Sequence, residues 1–117
     1  MAKVDKLWKL ARPHLAPGET AVAIVQGTTG GKMIGEKRVR NGLFIATDQR
    51  VIFYVKKMWN FSFESFSYDN IEACEKAKDR IGDIVRITAS GNDVLLKWIT
   101  DERAFEEFVS AVRARMR

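Results

Sequence analysis

A single histidine, His14, and a single cysteine, Cys74, make up the chain's supply of soft nucleophile and imidazole base. A Cys–His couple works when the imidazole takes the thiol proton. His14 follows Pro13 at a helix break, whereas Cys74 lies in Ile71 to Glu75, which reads as a strand. Cysteine in such a setting behaves as a small hydrophobe. One His and one Cys also fall short of the three or four protein ligands that zinc takes. A lone cysteine makes no internal disulfide. The residues therefore predict a non-enzyme with no catalytic residue, metal site or cofactor.

The stretch Gly27-Thr28-Thr29-Gly30-Gly31-Lys32-Met33-Ile34-Gly35 invites a phosphate-loop reading. That motif needs a first glycine five residues before its Gly-Lys pair and a hydroxyl residue after it. Gln26 and Met33 occupy those two positions. The motif fails, and the glycines predict a flexible connection.

Positive charge is the stronger signal. The chain carries a net charge of +5. Lys32, Lys37, Arg38 and Arg40 cluster after the glycine run, and Lys56 and Lys57 follow a later apolar segment. Met33 and Ile34 accompany the first group, and Met58 and Trp59 the second. Cations beside Trp and Met suit a membrane interface, where the ring sits among headgroups. The same mixture suits a protein interface. Six cations near an anionic membrane are worth at most ~6 kcal/mol, a dissociation constant of order 10⁻⁴ M.

Elements must position these residues. Val4, Leu7, Trp8 and Ala11 recur at helical spacing, which predicts a helix over 3–12 that ends at Pro13. Thr20 to Gln26 reads as a first strand. Leu43 to Thr47 and Val51 to Val55 form a hairpin through Asp48-Gln49-Arg50. Both arms are continuously apolar, which predicts burial on both faces or beneath a helix. Asn41-Gly42 offers a turn or bulge. Residues 61–66 alternate, and Ile84 to Ala89 and Val94 to Ile99 flank a turn. The last element is an amphipathic helix from about Asp101 to Met116, N-capped by Thr100, with Phe105, Phe108, Val109, Val112 and Met116 facing the core. The order is helix, about seven strands, helix. A short helical extension over 1–14 precedes one domain over 15–117. The chain has no transmembrane-length apolar run and no signal-peptide pattern, so a cytoplasmic location is expected.

Several segments together resemble the YokE-like bacterial pleckstrin-homology (PH) domains and, more distantly, the GRAM domain. They are Gly18-Glu19, residues 41–47, Asp48-Gln49-Arg50-Val51-Ile52-Phe53, Ser67-Tyr68-Asp69-Asn70-Ile71 and the helix carrying Phe105 and Phe108. The resemblance spans roughly residues 15–115. It implies a mainly β fold: a bent, seven-stranded antiparallel barrel or sandwich plugged by the C-terminal helix, and non-catalytic. It also implies that the connections bearing Lys32, Arg38 and Arg40, and Lys56 and Lys57, emerge at one open end. Lys32 and Arg38-Val39-Arg40 are similar to the basic residues with which eukaryotic relatives bind inositol phosphates.

The functional expectation is a binding or adaptor module acting through Lys32, Met33, Arg38, Arg40, Lys56, Lys57 and Trp59. Its partner is expected to be another protein or a second copy of itself. The alternative is peripheral attachment to anionic lipid through residues 28–40 and 56–60. Nucleic acid ranks below both, because Phe61 and Phe63 stand beside the acidic Glu64, Asp69, Glu72 and Glu75.

Overall fold

A computed structural model describes residues 3–30, 39–57 and 59–116. Helix α1 (Lys3–Ala11) runs into a 3-10 turn at Arg12–His14. Seven strands follow: β1 (Ala21–Gly30), β2 (Val39–Thr47), β3 (Arg50–Lys56), β4 (Phe61–Ser67), β5 (Ile71–Lys78), β6 (Asp83–Ala89) and β7 (Asn92–Ile99). A 3-10 turn at Tyr68–Asn70 joins β4 to β5, and helix α2 (Glu102–Arg115) closes the chain. The strands form one antiparallel sheet ordered β4-β3-β2-β1-β7-β6-β5. The two halves meet at β1 and β7, where Thr28 pairs with Lys97. This is the mainly β architecture with a C-terminal helix that the sequence predicts.

One core fills the space between the halves. Val25, Phe44, Phe53, Val85, Ile87 and Leu96 supply it from both sides, and Phe105, Phe108, Val109 and Val112 of α2 seal it. Asp101 caps α2 through its carboxylate, which accepts from the N–H of Ala104 at 3.0 Å. The cap is one residue later than the predicted Thr100, because a carboxylate reaches that N–H and also suits the positive helix end.

A second cluster lies on the outer face of the β2–β3 hairpin. Leu7 and Ala11 of α1 pack there with Leu43, Ile45, Ile52 and Tyr54. This explains the unbroken apolar runs. One side of the hairpin meets the core, and the other lies beneath α1.

Two local expectations change. The glycine run is strand as far as Gly30, and β2 begins at Val39, so Asn41-Gly42 is neither turn nor bulge. Glycine weakens a strand when nothing else favours it, but here crowding does. A Cβ on Gly27 would lie 2.6 Å from the Lys97 carbonyl oxygen and 2.8 Å from the Leu96 side chain. Glycine at this position lets β7 come close enough to join the halves. Gly27→Ala is therefore expected to cost about 1–3 kcal/mol by forcing the backbones apart. A lower urea midpoint at unchanged slope checks this. An unchanged midpoint contradicts the crowding argument.

Candidate functional site

The β3–β4 hairpin closes at Lys57 and Asn60. The N–H of Lys57 donates to the Asn60 carbonyl at 2.8 Å, and Lys56 pairs with Phe61. Trp59 sits in the tip and is 91% exposed. Lys56 and Lys57 are also exposed. On the neighbouring strand, Gly42 pairs with Val55, and Arg40 lies two residues beyond it, opposite Thr29 of β1. The register thus brings Arg40 to the same sheet end as Lys56 and Lys57. Lys32, Met33 and Arg38 lie outside the described residues, as do Lys37 and Met58.

Alternation sorts these cations by face. Arg40 shares parity with Phe44, which lies on the core side. Lys56 shares parity with Ile52 and Tyr54, on the α1 side. There it adjoins an aromatic patch. The His14 ring lies 4.6 Å from Phe61 and 5.6 Å from Phe63, and Tyr54 stacks on Phe61 at 5.4 Å. Phe61 remains 42% exposed. The sequence predicts a structural rather than a catalytic role for His14. Its ring is packing material that joins α1 to β4.

His14 and Cys74 do not form a catalytic couple. Cys74 is buried in the core, and burial pushes its thiol up to about 11. At neutral pH it is a protonated thiol, not the thiolate that nucleophilic attack requires. Among the described residues, no group of three or more His, Cys, Asp or Glu is placed to hold a metal ion.

Some of the residues that carried the resemblance, among them Glu19, Asp48, Arg50 and Tyr68, stand at the other end of β3, roughly 20 Å from the tip at 3.3 Å per residue. Their role is structural. The Glu19 side chain is fully buried. Arg50 grips it with two hydrogen bonds, Nε to Oε2 and Nη2 to Oε1, each 2.9 Å. Thr47 Oγ1 donates to Oε2 at 2.6 Å, and the N–H of Ala16 to Oε1 at 2.9 Å. Thr47 Oγ1 also accepts from the N–H groups of Gln49 and Arg50, shaping the β2–β3 turn. The Tyr68 hydroxyl donates to the Thr47 carbonyl at 2.6 Å, and burial pushes it up to about 12. Asp48 Oδ1 accepts from the N–H of Thr20. Together these bonds tie the chain before β1 to the β2–β3 turn and to the 3-10 turn that precedes β5.

The profile of the bacterial PH domain family matches residues 15–114. Two solved structures share the fold. The C-terminal domain of an unknown protein from Leishmania infantum aligns with a TM-score of 0.69 at 16% identity, over 95% of this chain and 99% of that one. A DUF1696 family protein with a pleckstrin-homology domain, from Shewanella loihica, aligns with a TM-score of 0.54 at 18% identity, over 94% and 96%. Sequence identities this low speak to fold alone. No curated protein matches the chain in sequence.

Proposed function

The chain belongs to the bacterial PH domain family, and from that premise we propose that it is a non-catalytic binding module that docks a protein partner through the Arg40, Lys56, Lys57 and Trp59 end of its sheet. One observation carries the reading: the 91% exposure of Trp59 at the tip of a tight hairpin between two lysines and Asn60. An indole left in water is apolar area that association can bury, and tryptophan leads the residues that dominate interface energy. The complementary surface is an apolar pocket rimmed by carboxylates.

Charge alone makes lipid a weak partner: six cations near an anionic membrane supply at most ~6 kcal/mol, a dissociation constant of order 10⁻⁴ M. Among the described residues, no helix is long and apolar enough to cross a membrane.

Affinity capture comparing the wild type with Trp59→Ala and with Lys56→Glu/Lys57→Glu tests this. A partner held by the wild type is expected to be at least ~10-fold weaker on Trp59→Ala, the effect of losing about 2 kcal/mol at a hot spot. A partner held equally by wild type and both variants overturns the site. Sedimentation of the wild type, but of neither variant, with phosphatidylserine vesicles and no captured protein replaces the partner with a lipid surface.

A further inference from the structure

The sheet has two outer strands, and they are built differently. An edge strand presents unpaired N–H and C=O groups, and proteins blunt it with charges, prolines or bulges. β5 is blunted. Glu72, Glu75, Lys76 and Lys78 supply four charges in eight residues, and its ladder with β6 has a register shift. Lys76 and Glu75 are also held in ion pairs with Glu106 and Arg86. β4 is not blunted. Its sequence, Phe-Ser-Phe-Glu-Ser-Phe-Ser, holds one charge and no proline or glycine. It pairs with β3 over seven successive positions without a shift. Among the described residues, no strand pairs with its other side.

The hairpin tip fixes which groups point outward. Lys57 and Asn60 form the first hydrogen-bonded pair. Such pairs alternate along an antiparallel ladder. Ser62, Glu64 and Phe66 therefore bond to β3, while the N–H and C=O of Phe61, Phe63, Ser65 and Ser67 face away from it. Phe61, Ser65 and Ser67 are exposed.

The geometry points to the free β4 edge as a site for strand addition, taking an extended segment of a partner polypeptide with alternating side chains. Charge selects a partner segment over a second copy. In the fully overlapped antiparallel register, two copies set Glu64 against Glu64, and like charges directly opposite are destabilising. A partner segment instead places Lys or Arg opposite Glu64 on one face. On the other face it lays an aromatic or β-branched residue beside Phe61 and Phe63, with an acid towards Lys56. Main-chain bonds then supply affinity and the alternating side chains specificity. The edge stands independently of the Trp59 tip.

Seven-residue peptides displayed on phage and selected on the intact protein, then synthesised, test the site. Ser65→Pro removes one outward donor and leaves the β3 ladder whole, so the fold should keep its thermal midpoint within a few degrees. Selected peptides are expected to slow amide exchange at Phe61, Phe63 and Ser65, to bind Ser65→Pro more than ~10-fold more weakly, and to bind Trp59→Ala as well as the wild type. Selection without a binder, or binders indifferent to Ser65→Pro, overturns the proposal. So does loss of binding on Trp59→Ala alone, or slowing of the same amides by rising protein concentration without peptide, which makes the occupant a second copy.

Discussion

Replacing Glu19 with alanine is expected to destabilise the fold by about 3 kcal/mol, although Glu19 lies at the opposite end of the β2–β3 hairpin from the candidate site. Removing one partner of a buried ion pair costs about 3–5 kcal/mol, because the other is left uncompensated. Arg50 is 26% exposed at its side chain and can recover some hydration, so the low end applies. Thr47 and the N–H of Ala16 lose an acceptor as well. The same network fixes the pH dependence. The hydrogen bond from Arg50 is the largest influence holding the Glu19 carboxyl down, from its ordinary 4.5 to about 2, and it outweighs the opposing effect of burial. The folded carboxyl thus binds protons more weakly than the unfolded one, and acid favours unfolding. Its contribution, about 3 kcal/mol, is complete above pH ~4.5 and is lost as pH falls towards 2. Urea unfolding of wild type and Glu19→Ala at pH 7 and pH 2.5 checks this. The difference between them should shrink sharply in acid. A constant difference across that range contradicts the charged network.

Phe108→Ala is expected to have the larger effect, about 4 kcal/mol. Phe108 is fully buried, its ring 5.3 Å from that of Phe44, which in turn lies 4.8 Å from Phe53. Truncating a buried phenylalanine costs about 3–5 kcal/mol through lost transfer energy and the cavity left behind. A domain of this size has about 5–15 kcal/mol in total, so this one change removes a large share. Collapse of the cavity is limited, since two further bonds hold α2 in place: Arg113 donates from Nε and Nη2 to the Cys74 carbonyl at 3.0 and 2.9 Å. Thermal unfolding should show a midpoint lower by about 15 °C. Phe61→Ala, at 42% exposure, should move it little. Equal shifts for the two variants would mean that α2 does not seal the core.

The two predictions concern opposite kinds of information in the sequence. The α2 stripe of Phe105, Phe108, Val109 and Val112 is a local pattern, and a 3.6-residue period announces both the helix and its buried face. Residues 43–47 and 51–55 likewise announce a hairpin covered on both sides, and α1 provides the second cover. Glu19 has no such pattern. Its side-chain partners lie 28 and 31 residues away. Gly18-Glu19 and Thr47-Asp48-Gln49-Arg50 entered as fragments of a resemblance, and nothing local says that they bond to one another.

The candidate site divides the same way. The types and spacing of Lys56, Lys57 and Trp59 flag a basic, apolar tip, because a short polar interruption between apolar runs must be a connection. Their company is not local. Arg40 joins them through a β2 that starts at Val39, and that start was hidden because Gly27, Gly30 and Gly42 read as loop. Glycine has a weak intrinsic preference for strands, and only the approach of β7 to Gly27 makes it the fitting residue.

The sequence by itself determined a β-rich chain of about seven strands, its closing helix, the covered hairpin and the basic tip, since periodicity and turn chemistry act between near neighbours. Tertiary structure alone decided that Glu19 meets Arg50, that His14 packs on Phe61, and that β4 lies at an edge of the sheet. Those facts depend on which distant segments pair. Pairing is set by the packing of the whole sheet, which no short stretch of residues encodes.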